Sequence, residues 1–118
     1  MGCAMELKDI PESAVIQQVK QVLKVTGLKI QRINTGCFTI GEGQNRRYIK
    51  TADTGTCDFE GYDMRGRFCA IECKRPVGGK LSAAQKLRID DINAKGGVAF
   101  VAHSGEEALK QLQERGCL

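Results

Sequence analysis

At 118 residues, with 42% hydrophobic and 27% charged side chains, the chain is sized for one globular α/β domain spanning residues 1–118. Its longest apolar run, Val98–Ala102, is far too short to cross a bilayer, and no basic start followed by a long apolar core reads as a secretory signal. A net charge of +4 permits a nucleic-acid partner without requiring one.

In chain order, Asp9-Ile10-Pro11 is expected to open a first helix, with proline tolerated in its first turn, and Gly27 to close it. Val15, Ile16, Val19, Val22 and Leu23 form its apolar stripe. Glu12 precedes that stripe by helical spacing, so it lies on the inward side, where a carboxylate needs a partner. Helix-end electrostatics would account for it, and so would a role as a further carboxylate in a site.

Leu28–Ile33 reads as a strand and Asn34-Thr35-Gly36 as a turn. Gly41–Asn45 reads as an excursion, and Arg46–Lys50 as a weak edge strand. Arg32, Arg46, Arg47 and Lys50 could hold a phosphate backbone, or simply solvate an edge. Tyr48 is expected to pack in the core or at its rim rather than to stack on a base.

The chemistry concentrates between Gly55 and Gln85. Cys57–Tyr62 and Arg67–Lys74 read as two antiparallel strands joined through Met64-Arg65-Gly66. Strand alternation puts Cys69, Ile71 and Cys73 on one face and Ala70, Glu72 and Lys74 on the other. Glu72 and Lys74 are then roughly 6.6 Å apart along the strand. Asp58, at the start of one strand, comes beside Glu72, near the end of the next. Two neighbouring carboxylates repel unless a hard cation such as Mg²⁺ or Mn²⁺ lies between them. With a lysine to orient water or offset phosphate charge, the trio suits metal-assisted phosphodiester cleavage. An ordinary surface pair of Glu72 with Lys74 would use two of the same residues.

Arg75 to Lys80 form a loop beside that end, with Arg75 and Lys80 as basic contacts. Ser82 and Gln85 fit a capping box for a helix to about Lys95, while Gln85 also shares a face with Leu81, Ile89 and Ile92. Capping and a role in the site are expected to compete for Gln85. Lys86 and Arg88 extend the basic surface. Val98–Ala102 is a buried strand reached by a crossover from the Ile71 strand. Ser104 and Glu107 suggest a second capping box, for a last helix to about Arg115 with Ala108, Leu109 and Leu112 inward. His103, the lone histidine, reads as a loop residue. Cys3, Cys37, Cys57, Cys69, Cys73 and Cys117 show no metal-binding or disulfide spacing, so they read as reduced thiols of an intracellular protein.

Asp58 followed by Glu72-Cys73-Lys74 resembles the PD-(D/E)xK nuclease signature, and more specifically its virus-type replication-repair nuclease (VRR-NUC) branch. The matching pieces are Glu12, Arg32-Ile33-Asn34-Thr35-Gly36, Gly55-Thr56-Cys57-Asp58, Phe68 to Pro76, Leu81-Ser82-Ala83-Ala84-Gln85 and Gly96 to Val101. They run in the family's order from Glu12 to Glu107. Cys57 departs from the pattern by replacing the usual proline, which bears on loop stiffness rather than on a ligand. The resemblance implies a restriction-endonuclease-like core: a small mixed sheet flanked by helices. It implies Asp58, Glu72, the Cys73 carbonyl and Glu12 as ligands of Mg²⁺ or Mn²⁺, Lys74 and Gln85 as catalytic support, and Asn34 among the DNA contacts. It also implies branched DNA, specifically four-way junctions, as substrate, in bacterial or phage-infected cytoplasm. A symmetric junction is matched most simply by a homodimer, for which Thr39–Lys50 could supply the interface. The rival is a DNA-structure-binding module, inactive or dependent on a helicase or restriction partner.

Overall fold

The computed structural model describes residues 6–33, 37–50 and 52–118. Three helices, α1 (Glu12–Thr26), α2 (Ala83–Ala94) and α3 (Gly105–Glu114), accompany six strands. The strands are β1 (Lys29–Arg32), β2 (Cys37–Ile40), β3 (Arg47–Lys50), β4 (Phe59–Tyr62), β5 (Phe68–Cys73) and β6 (Val98–Ala102). Four of them form a mixed sheet in the order β1-β4-β5-β6, antiparallel at the first two pairings and parallel at the last. No helix among the described residues is long and apolar enough to cross a membrane.

The alternation expected of β5 divides the core. Cys69, Ile71 and Cys73 join Phe59, Val98 and Phe100 in packing against Val15, Val19 and Leu23 of α1 and Ala108 and Leu112 of α3. Ala70 turns the other way, to Cys57, Ala99 and Ile89 of α2. Burying side chains the size of Ile71 or Leu112 stabilises the fold by about 1.5–3 kcal/mol each. Cys57 thus fills a narrow space between sheet and α2, and its thiol is pushed up to about 12, chiefly by burial. It behaves there as a small apolar residue.

Several boundaries differ from those read in the sequence. The first helix begins at Glu12, one turn later than its Asp-Ile-Pro opening suggests. Ile10 is extended, as a residue before proline must be, and Pro11 is the N-cap. Gly27, at φ 72°, closes it as expected. Strand β2 was not foreseen, and β3 is not an edge of the main sheet. Among the described residues the two pair only with each other, with Ile40 opposite Arg47 and Thr39 opposite Tyr48. Tyr48 is consequently 72% exposed instead of packed in the core or at its rim.

The second capping box is half made: Ser104 Oγ accepts from the Glu107 N–H, but the Glu107 carboxylate turns to His103 Nδ1 at 3.0 Å. Arg88 is not part of a free basic surface. Its Nε and Nη2 hold the two oxygens of Glu60 at 2.9 and 3.0 Å and strap α2 to β4.

Candidate active site

The β4–β5 register fixes the site. Phe59 lies opposite Ile71, so the next residues outward, Asp58 and Glu72, meet at the same end of the sheet. Both are buried, at 8% and 3% exposure. Burial of two carboxylates is expensive unless each has donors or a cation.

Asp58 is well supplied. Its Oδ2 accepts the Cys73 N–H at 2.8 Å and its Oδ1 accepts Arg32 Nη1 at 3.2 Å. Arg32 Nη1 also donates to the backbone carbonyls of Ile33 and Asp58. Arg32, offered by the sequence as a phosphate contact, is therefore the ionic partner of Asp58, with its guanidinium carbon 5.9 Å from the Phe59 ring centroid. The signal lay in strand pairing: Arg32 stands opposite Phe59, the residue after Asp58.

Glu72 is less well supplied. Its Oε1 accepts Gln85 Nε2 at 2.9 Å and faces Lys74 Nζ at 3.6 Å, while Oε2 is buried with no hydrogen-bond partner among the described residues. Burial first, then the charge of Asp58, push the Glu72 carboxyl from 4.5 up to about 8; Lys74 opposes them incompletely. Without a cation, Glu72 accordingly holds its proton well above the usual carboxylate range.

Gln85 fills both of the roles expected to compete. Its Oε1 accepts the Ser82 N–H and completes the capping box, while Nε2 reaches Glu72. An amide has two ends, and the helix start points one at each task. Gly55 permits this placement: at φ +89°, a Cβ there would lie 2.7 Å from the Ala84 carbonyl oxygen, so only glycine lets the loop pack on the first turn of α2.

Lys74 sits between two carboxylates. Its Nζ is 3.6 Å from Glu72 Oε1 and 3.9 Å from Glu12 Oε1, and its side chain is only 13% exposed. Gly79 crowds it from the following loop, where a Cβ would come within 2.9 Å of Lys74 Cβ. Glu12 is half exposed at the start of α1, and the contact that places it is with Lys74 rather than with the carboxylate pair. Arg75 and Lys80 are exposed on the loop beside the site, and Arg46 and Arg47 are exposed on the separate hairpin, with Lys50 at the end of β3. Asn34 lies outside the described residues.

The buried Asp58–Glu72 pair offers only oxygen donors, one of them orphaned among the described residues, and oxygen is the donor type that hard divalent cations take. A second grouping, Asp63 with Cys69 and Cys117, also brings three potential ligand atoms within 4.8 Å of one another. It was not anticipated, because Cys117 arrives from the far end of the chain. Asp63 is already committed to the Arg65 and Arg67 N–H groups and to Arg67 Nε at 2.8 Å. Burial pushes the Cys69 thiol up to about 12 and raises that of Cys117, so both keep their protons beside a guanidinium. The group ties the C-terminal residues to the β4–β5 turn, through Arg67 Nη2 to the Arg115 carbonyl and the Met64 N–H to the Cys117 carbonyl.

No family profile, curated protein or solved structure matches this chain.

Proposed function

We propose that the chain is a Mg²⁺- or Mn²⁺-dependent endodeoxyribonuclease with a PD-(D/E)xK core of VRR-NUC type. The observation that carries the proposal is the buried Asp58–Glu72 pair, with one Glu72 oxygen unpartnered and the Lys74 ammonium 3.6 Å from the other. Asp58 and Glu72, with the Cys73 carbonyl and with Glu12 at the rim, would hold the cation. When bound, the cation supplies Lewis-acid polarisation of the phosphate and a more acidic water.

The chain's own residues do the rest. Arg32 and the Cys73 N–H fix the Asp58 carboxylate in one orientation. Gln85 fixes Glu72, and because Gln85 is itself held by Ser82, that orientation is set before any ligand arrives. Lys74, held between Glu12 and Glu72, places a positive charge where a pentavalent phosphorus gathers negative charge, and orients the attacking water. Glu72 would hold the cation as a carboxylate, its proton given up to solvent.

The proposed substrate is branched DNA, with four-way junctions foremost, and the proposed assembly is a homodimer. Support for the dimer comes from the β2–β3 hairpin, in which residues 39 to 48 are all exposed, including Ile40 at 47% and Tyr48 at 72%. A lone two-stranded hairpin is marginal in water, and a partner's surface would stabilise it. Arg46, Arg47 and Lys50 on that hairpin, with Arg75 and Lys80 beside the carboxylates, are the proposed DNA contacts.

The test is purified protein with linear, flap and four-way DNA, with and without Mg²⁺ or Mn²⁺, alongside light scattering for mass. Cleavage that needs the metal, with paired nicks from a dimer, is the expected result. Binding without cleavage under every metal would leave a DNA-structure-binding module instead.

A further inference from the structure

We propose that the groove between α1 and β1 is a second DNA-backbone site, which seats the strand leading away from the carboxylate pair; the proposal rests on the nuclease reading of that pair. The groove is a concavity of about 240 Å³ whose lining includes Lys20, Lys24, Gln31 and Arg32. Its floor is apolar, made by Leu23, Leu28, Ile30 and Phe59, all buried. Among the described residues no carboxylate lines it.

Three features separate this surface from ordinary solvated charge. Lys20 and Lys24 are exposed and one helical turn apart, and among the described residues neither has an ion-pair partner. Like charges at that spacing cost helix stability, a cost that the place of Lys24 in the last turn of α1 offsets only in part. Their cationic groups stand over a low-dielectric floor, which focuses their field into the groove instead of dispersing it in water.

The groove also runs into the candidate active site. Arg32 belongs to both: it lines the groove, lies over Phe59, and donates to Asp58 Oδ1 at 3.2 Å. An anionic chain whose scissile phosphate lay at Asp58 and Glu72 would pass Arg32 and meet Lys20 and then Lys24, because α1 runs away from the site from Glu12 onward. Those two are about 6 Å apart along the helix axis, so they can address successive positions on one backbone. The occupant is therefore a polyanion continuous with the substrate, not a separate small anion.

The experiment compares the wild type with Lys20→Gln/Lys24→Gln, and with Lys95→Gln/Lys110→Gln as a control of equal charge change. Lys95 and Lys110 are exposed and pair with Asp91 and Glu114. Binding of fluorescent duplex and four-way DNA is followed by anisotropy in EDTA, across about 50 to 200 mM salt. The groove variant is expected to bind roughly tenfold or more weakly, with the slope of log K against log salt reduced by about 2. Lys20→Arg/Lys24→Arg should restore both quantities, and none of the variants should melt appreciably below the wild type.

An unaltered slope, an equal loss in the control pair, or no DNA binding by the wild type would each overturn the proposal. Metal-dependent cleavage, scored separately, distinguishes the two readings. A slope change without any cleavage in the wild type keeps the groove and removes the nuclease. Cleavage with an unaltered slope keeps the nuclease and removes the groove.

Discussion

Replacing Glu72 with glutamine removes the charge from the buried pair while keeping an acceptor for Gln85 Nε2. In the metal-free protein the folded state holds the Glu72 proton up to about pH 8, whereas an ordinary glutamate loses it near 4.5. The folded-state value is raised, so the stability linked to that proton is fully present below pH 4.5 and is lost as pH climbs towards 8. At pH 7 the wild type carries a penalty of about 3 kcal/mol for this reason, shared by Asp58 and Glu72 as a pair. In a chain of this length such a difference moves the melting temperature by roughly 10 °C. Thermal melts in EDTA from acid to mildly alkaline pH are the assay, with the difference between the two proteins as the readout. The variant should melt near the wild type in acid and well above it at pH 8, and Mg²⁺ should raise the wild type alone. Parallel curves for the two proteins across that range would refute the idea that Glu72 is a strained, metal-seeking carboxyl.

Asp58→Asn and Lys74→Ala are each expected to lower cleavage of four-way DNA on the order of a thousandfold or more, with DNA binding in EDTA retained; cleavage within tenfold of wild type would remove either residue from the site. Glu12→Gln should raise the metal concentration needed for half-maximal cleavage more than it weakens DNA binding, because its contact is with the lysine beside the carboxylate pair; an unchanged metal titration would return Glu12 to helix-end electrostatics. Asp63→Ala should cost about 3–5 kcal/mol in urea unfolding without touching chemistry, since it strands the half-buried Arg67 and three hydrogen bonds. A loss below about 1 kcal/mol would mean the turn is held by backbone geometry alone.

The part of the site that was legible in the sequence depends on strand periodicity. Alternation along β5 sent Glu72 and Ala70 to the α2 side and Cys69, Ile71 and Cys73 to the other, and the short turn before it set Asp58 beside Glu72. Local spacing also marked Gly27 and the Ser82–Gln85 cap. What it left out depends on contacts between distant segments. Arg32 and Asp58, Glu60 and Arg88, and Cys69 and Cys117 meet only once the sheet has assembled, and no local pattern encodes their pairing. The β2–β3 hairpin was missed for a different reason. Residues 39 to 48 are exposed, so no alternation of buried and exposed positions marks them, and the basic run of β3 looks the same on a sheet edge as on a separate arm.

Charge balance links the proton on Glu72 to the rest of the site. With Glu72 protonated, Asp58 and Glu12 are offset by Arg32 and Lys74, and the end of the sheet is neutral. Ionising Glu72 with nothing added leaves one uncompensated negative charge in a buried place, which the raised carboxyl resists. Ionising it in exchange for a divalent cation leaves one positive charge, which attracts a phosphate. Arg32 and Lys74 therefore do different work. Arg32 neutralises the Asp58 carboxylate with or without a cation, whereas on the nuclease reading the charge of Lys74 would become surplus only after the exchange and would then serve the substrate. Removing Lys74 should accordingly leave metal binding intact or tighter while cleavage is lost, a separation that calorimetric Mg²⁺ titration beside the cleavage assay would reveal. Weaker metal binding in Lys74→Ala would mean that the lysine only positions Glu72, and that the positive surplus plays no part.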